Sequence, residues 1–327
     1  MKRFVPLVVL AALLALPYST LRIPGVFEGG LNTPGTLQML AICLVFGGLA
    51  LGYDLLFGRA GLLSFGHALY IAAGAYGTDI LISHFGWSLW ASVAFVVPAV
   101  ALLAALLGAV ALRTTGIAFS MVTLAFAQVG WIVVNRDPGG LTGGEEGLPL
   151  DSAGLPSALV GVANTANLYW LALAFLLVVV VVVHGIDRAP LGRVLTGLRD
   201  DERRVSVLGL STYGLKLGTF VLAGTLAGLG GSVHALIVGG ASPHLASADL
   251  TLSLIVMAVL GGAGTRWGAV VGGIAYAYLD QRLTQVGGGL PGPLSQPLFV
   301  LGSLFVLAVY FAPGGLTGVL RRRERPA

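Results

Sequence analysis

The chain has 327 residues, of which 56% are hydrophobic and only 10% charged, with a mean hydropathy of +0.92. Water-soluble domains carry roughly 25% charged residues, so this composition excludes a soluble globular protein and points to helices whose solvent is the lipid bilayer. The net charge of +4 is carried mostly by loops and ends, which gives no indication of nucleic-acid binding, and the single cysteine, Cys43, leaves no disulfide framework and no cysteine-based metal site.

In chain order, the apolar runs predict spans at roughly 4–20, 37–57, 62–83, 89–112, 116–134, 166–184, 215–239, 250–263, 267–286 and 294–312. About 20 apolar residues cross a hydrocarbon core of roughly 30 Å. The first run follows Met1-Lys2-Arg3 and has the form of a signal peptide, but it ends in Pro17-Tyr18-Ser19-Thr20 with no Ala-x-Ala site, so a retained first helix is expected. Segment 250–263 is too short to span alone and ends in Gly261-Gly262-Ala263-Gly264. It counts here as one of ten spans, with a half-helix that enters and breaks as the alternative and eight full helices plus a re-entrant element as the competing count. Such backbone is tolerated in a membrane only where protein or water surrounds it. The fold class is therefore all-α: a polytopic helical bundle forming one transmembrane domain over 1–327, with about ten spans.

Basic residues accumulate on the inner side of membrane proteins. Six of the eighteen fall between Arg188 and Lys216, interleaved with Asp200, Asp201 and Glu202. The 185–214 loop is therefore placed inside, together with Lys2 and Arg3 and the basic tail at 319–327, so both termini are expected in the cytoplasm. Loop 135–165, with Glu145 and Glu146, falls outside under the same count. Such mixed charge in the inner loop also suggests a docking surface for a soluble partner, because an anchor for anionic lipid would be more uniformly basic.

A faint internal echo joins Gly58-Arg59-Ala60-Gly61, which precedes a helix reaching Tyr76, to Gly261-Gly262-Ala263-Gly264, which precedes one reaching Tyr278. Paired glycine-interrupted segments are a pointer to transporter repeats, and glycine-rich membrane helices also look alike by composition. The steps Gly224/Gly228 and Gly264/Gly268/Gly272 read as small-xxx-small packing faces that let helices approach closely. A dinucleotide fingerprint over the latter would need a strand and a βαβ unit, which the surrounding sequence does not supply. With only two lysines, Lys2 and Lys216, the chain has no phosphate-binding Gly-Lys-Ser/Thr step, so ATP chemistry would have to come from elsewhere. No catalytic residue or metal ligand is expected; the histidines lack ligand spacing. Asp54 and Asp79 lie near span ends and are expected to reach headgroups, whereas Asp280 and Arg282 lie deeper and must face protein or water.

Several segments resemble the permease subunits of branched-chain amino acid ABC importers, the LivM-like family: Gly61-Leu-Leu-Ser-Phe-Gly-His-Ala68 with Gly74-Ala-Tyr76, Thr115-Gly-Ile-Ala-Phe119 with Thr123-Leu-Ala-Phe126, Leu141-Thr-Gly-Gly144 with Gly147, Leu191-Gly-Arg193 leading to Leu198-Arg199-Asp-Asp-Glu202, Leu208-Gly-Leu210, Ser242-Pro243, and Val259-Leu-Gly-Gly-Ala-Gly-Thr265. They run in family order from about residue 47 to 275. The resemblance implies an inner-membrane permease of an ATP-driven importer, not itself an enzyme and without a cofactor. Implied partners are a second homologous permease subunit, two cytoplasmic ATP-binding subunits and a periplasmic solute-binding protein.

It also implies that Gly192 to Gly209 carries a coupling helix seated in a cleft of the ATPase, with Arg193, Leu198, Arg199, Asp200, Asp201 and Glu202 in the contact. Val194, Leu195 and Leu198 supply a short apolar face, and Gly209 is placed to end a short helix as its C′ residue. Thr142, Gly143 and Gly144 fall on the substrate side, where contact with receptor or solute and a plain glycine turn are equal readings. Ser64 and His67 either line the pathway or are satisfied interior polar groups. An ion-gradient transporter and the urea/amide branch of the same family are the alternative functions.

Overall fold

The computed structural model describes residues 13–19, 27, 29–161, 164–286, 296–311 and 315. Most of the first predicted span and the basic tail at 319–327 lie outside the described residues, as does part of the segment expected at 294–312. The described helices are α1 (Pro34–Asp54), α2 (His67–Ser83), α3 (Leu89–Ala111), α4 (Ile117–Arg136), α5 (Thr165–Arg188), α6 (Pro190–Asp200), α7 (Glu202–Val207), α8 (Thr212–Val238), α9 (Ala248–Gly261), α10 (Arg266–Val286) and α11 (Pro297–Phe311). The fold is that of an all-α polytopic membrane protein. Among the described residues, five helical segments are both long and apolar enough to cross a bilayer: α1 continued to Arg59, α3, α4, α5 and α8.

Helix α1 is apolar on every side and buried nearly all round, as expected of a helix at the centre of a bundle. It packs against α5, α8, α9 and α10. Helices α3 and α4 lie at the periphery and turn large apolar side chains outward, among them Leu102, Leu106, Val110, Met121 and Val129. In water such a surface would aggregate; in lipid it is the solvated face.

At two places the chain interrupts its helices inside the bundle. The first is at 250–263, where the sequence leaves both a full span and a broken element open: α9 has 14 residues, about 21 Å of helix, and stops at Gly262, whose φ of 113° no other residue type adopts readily. The second corrects the expected span 62–83, because the helix begins only at His67. Before it, α1 runs into a π turn over Leu55–Arg59, and residues 60–66 are unwound. Hydroxyls from distant helices take the backbone partners that an α-helix would have supplied. Ser120 Oγ donates to the Leu63 carbonyl at 2.7 Å, Thr123 Oγ1 accepts from Phe65 N–H at 3.1 Å, and Thr251 Oγ1 accepts from Ala68 N–H at 3.0 Å. Irregular backbone survives at such depth only when neighbouring protein satisfies it.

Close packing between α2 and α8 depends on missing side chains. A Cβ on Gly74 would lie 1.9 Å from the Gly228 carbonyl oxygen, and one on Gly231 would lie 2.0 Å from that of Ile71. At this approach Ser232 Oγ donates to the Gly74 carbonyl at 3.0 Å and Thr78 Oγ1 donates to Ser232 Oγ at 2.8 Å.

Loop 137–161 closes one end of the bundle. Its Leu148–Pro149 strand (β1) pairs antiparallel with Gly240–Ala241 (β2) after α8, in the register Leu148 opposite Ala241. Ser83 Oγ, at the end of α2, accepts from Asp151 N–H at 3.0 Å. The α6–α7 elbow lies at the other end, separated from this loop by the 24 residues of α5, about 36 Å of helix.

Gly74→Ala is expected to destabilise the detergent-solubilised protein by roughly 1–3 kcal/mol, as overpacking does. Gly218→Ala on the open side of α8, where a Cβ meets nothing within 4 Å, is expected to leave the protein unchanged or slightly more stable. Thermal unfolding of the two variants side by side checks this; equal melting temperatures would contradict the close approach.

Candidate functional site

The elbow between α5 and α8 is built from two short helices rather than one. Pro190 opens α6, whose first turn folds tightly back on α5: a Cβ on Gly192 would meet the Ile186 carbonyl oxygen at 2.6 Å. Asp201 breaks the helix with an extended backbone and accepts from the N–H groups of Arg203 and Arg204, at 3.0 and 3.3 Å, as the N-cap of α7. Its second oxygen accepts from Arg204 Nε at 2.9 Å. Helix α7 ends at Val207, and Gly209 follows as C′ with a φ of 79°.

The apolar face expected to meet a partner turns inward. Leu195 and Leu198 are buried with Ala60 and Val205, and Val194 packs partly against them. The charged side chains expected in the contact are also partly engaged within the chain. Glu202 receives Lys216 of α8 at 2.6 Å, and Arg199 reaches back to donate from Nη1 to the Gly58 carbonyl. Arg193, Asp200 and Arg203 remain exposed. Beyond them the tip carries two apolar side chains with no cover, Val207 at 86% exposed and Leu208 at 77%. Sequence reasoning missed both, because a six-residue helix is too short for periodicity to mark its faces. Their only signal is an apolar pair set between Arg203-Arg204 and the terminating Gly209.

Behind the elbow lies a charged junction inside the bundle. Arg59, at the end of the π turn, donates Nη1 to Asp54 Oδ2 at 2.9 Å. On its other edge it forms a fork with Asp187 of α5, Nε to Oδ1 at 2.8 Å and Nη2 to Oδ2 at 3.2 Å. Asp54 Oδ1 accepts from Gly264 N–H at 2.7 Å, in the turn between α9 and α10. Asp54 is fully buried and Arg59 is 7% exposed, so the expectation that Asp54 reaches headgroups is corrected. Asp79 is likewise fully buried. The two echoing glycine segments meet here: Gly58 and Gly264 face one another, and a Cβ on Gly58 would come within 2.0 Å of Asp54 Oδ1 and 2.3 Å of Gly264 N. Gly264, at φ 79°, is thus a turn residue of this junction, while Gly268 and Gly272 lie on α10 against Gly261 and the Met257 carbonyl. Gly224 and Gly228 face Ala104 and Val100 of α3.

Ser64 and His67 are interior. The His67 ring is held edge-on between Tyr53 at 5.0 Å and Tyr70 at 6.0 Å, and Tyr53 Oη donates to the Ser64 carbonyl at 2.9 Å. At the opposite end, Asp137, at φ 46°, gathers the glycine loop around one carboxylate oxygen. It accepts from Thr142 N–H at 2.6 Å, Thr142 Oγ1 at 3.0 Å and Gly143 N–H at 3.2 Å. These donors, the Thr142 amide foremost, hold its carboxyl below the usual carboxylate range. Thr142 is buried and also donates to the Val134 carbonyl at 2.7 Å, so its hydroxyl serves the loop, and Gly143 and Gly144 adopt positive φ.

Residues 35–309 match the family of branched-chain amino acid transport system permease components. The chain is 26% identical over 317 residues to the high-affinity branched-chain amino acid transport system permease protein LivM of Escherichia coli K12, covering 88% of this chain and 71% of that protein. LivM of Salmonella typhimurium is 26% identical over 309 residues, with the same two coverages. The autoinducer 2 import system permease protein LsrD of Klebsiella pneumoniae is 28% identical over 265 residues, covering 76% of this chain and 73% of that one.

Because the folded pKa of Asp137 is depressed, its contribution to loop order is present above the unfolded value and is lost as pH falls through the folded one. Exchange protection of the Thr142 and Gly143 amides, corrected for intrinsic rates, should hold at neutral pH and be lost only below the ordinary carboxylate range. In Asp137→Asn the same amides should show no acid transition; an unchanged transition in that variant would mean another group is titrating.

Proposed function

The chain belongs to the family of branched-chain amino acid transport system permease components, and on that premise we propose that it is one of two homologous membrane subunits of an ATP-driven importer for branched-chain amino acids. ATP is hydrolysed by two partner subunits on the cytoplasmic side, and a soluble receptor delivers solute at the opposite face. The elbow lies inside, and the 137–161 loop faces the receptor. The observation that carries this reading is the elbow tip: Val207 and Leu208 are uncovered on an elbow that also exposes Arg193, Asp200 and Arg203. An uncovered apolar pair on a charged, water-facing elbow marks a partner site. It fits a cleft that buries the two side chains and meets the exposed charges.

The proposed cycle needs no chemistry in this chain. Closure of the ATPase pair moves the elbow, the helices tilt about their glycine contacts, and access changes from outward to inward. Such a change requires the partner to bind the two arrangements with different free energy. The similarity to an autoinducer 2 permease supports a second solute class on the same scaffold, so the solute is assigned by assay.

Leu208→Asp is an exposed-surface change and is expected to leave the folded chain and its pairing with the second permease intact. It should reduce co-purification of the ATP-binding subunits, and ATP-driven uptake into proteoliposomes, at least tenfold. Retention of both at the parental level would overturn the docking site. Uptake of leucine, isoleucine and valine, measured beside autoinducer 2 and urea with the cognate receptor, decides the solute; uptake without any ATP-binding subunit would overturn the importer reading itself.

A further inference from the structure

Besides the partly exposed ion pair of Glu202 with Lys216 of α8, the elbow reaches the rest of the bundle through two buried kinds of contact, and they differ in what they can transmit. One is a small apolar cluster of Leu195, Leu198, Val205 and Ala60. Apolar surfaces of this kind are non-directional and tolerate sliding. The other is the buried junction centred on Arg59. Its guanidinium is held on one edge by Asp54 of α1 and on the other by the fork with Asp187 of α5, three residues before α6 begins. Arg199 of α6 grips the Gly58 carbonyl one residue away. Through Asp54 Oδ1 the same junction holds the Gly264 amide at the break between α9 and α10. Three stretches far apart in sequence, 54–59, 187–199 and the turn at Gly264, are thus pinned at one point behind the elbow.

We propose that Arg59 is the positioning residue that transmits movement of the elbow to the helices around the pathway. Displacing the elbow carries the end of α5 with it through the continuous chain, and the fork passes that displacement to the π turn of α1. From there Asp54 passes it to the turn before α10. A π turn suits this role, because it already departs from α geometry and marks functional points in helices. Gly58 suits it too, since any side chain there would displace either the Asp54 carboxylate or the Gly264 amide. The proposal rests on the importer reading, and it assigns Arg59 no contact with solute or ATPase.

The test uses the full complex, with both permeases, both ATP-binding subunits and receptor, in proteoliposomes with labelled leucine as probe. Leucine taken up per ATP hydrolysed is measured for the parental chain, Arg59→Gln, Arg59→Lys and Asp187→Asn. Arg59→Gln and Asp187→Asn are expected to keep the ATP-binding subunits bound and to lower uptake per ATP at least fivefold. Arg59→Lys, which keeps the charge without the fork, should fall between. Because the two residues act as one unit, Arg59→Gln/Asp187→Asn should be no worse than the poorer single variant. Parental coupling in Arg59→Gln, or single effects that multiply in the double variant, would overturn the proposal. If Arg59→Gln fails to assemble, Asp187→Asn at the partly exposed rim decides alone, with parental coupling there counting against it. Loss of ATP-binding subunits from the parental chain would refute the importer reading and leave this measurement distinct from it.

Discussion

Satisfaction of backbone polar groups without water governs this bundle. Wherever a helix is interrupted at depth, the freed N–H and C=O groups must find partners from the protein, and each interruption here is answered by a specific side chain. The unwound segment 60–66 is held by Ser120 and Thr123, and the first turn of α2 after it by Thr251, on two other helices. The turn at 262–265 is held by the Asp54 carboxylate. These bonds do more than cancel a desolvation penalty. They fix where α4, α9 and α1 stand relative to the segments they satisfy, so local irregularity becomes a set of long-range ties.

Glycines set the distances over which those ties work. Between α2 and α8 the approach is limited by backbone against backbone, and hydroxyls of Thr78 and Ser232 bond across it. Lipid gives helices no hydrophobic reason to associate, so close packing of small residues and interhelical hydrogen bonds must hold them. At the junction behind the elbow, Gly58 and Gly264 permit a carboxylate and an arginine to enter the contact between two turns. The same residue type thus serves helix packing in one place and a charged junction in the other.

The helical class and the positions of most described helices were legible because about twenty apolar residues in a row have few other physical solutions. The broken element at 250–263 was legible as an alternative from its shortness and its glycines. Residues 62–66 were not: Leu62-Leu63-Ser64-Phe65 reads the same whether helical or unwound, and the partners that decide lie 57 or more residues away. The Asp54–Arg59 pair was hidden for a related reason. Five residues apart on an α-helix, the two do not face one another, and only the π turn over Leu55–Arg59 brings them together. Asp187, in turn, looked like one more charge in a loop. The elbow's place in the sequence was visible, but its inner and outer faces were exchanged: Leu195 and Leu198 face the bundle, whereas Val207 and Leu208 face out.

That exchange bears on why the junction is ionic at all. A buried ion pair seldom stabilises a fold more than apolar side chains of the same volume would, so stability alone gives little reason to bury Asp54 and Arg59. Geometry gives a better one. The guanidinium fork accepts a carboxylate in one plane and at one distance, while the four-residue apolar cluster beside it fits several nearby registers about equally well. A lever attached by grease alone would lose its displacement at the joint. In the proposed coupling, one attached by a fork, a carbonyl and an amide would move with the helices it grips, or break into a discrete second arrangement, and both outcomes would pass the movement of the elbow inward as a definite step.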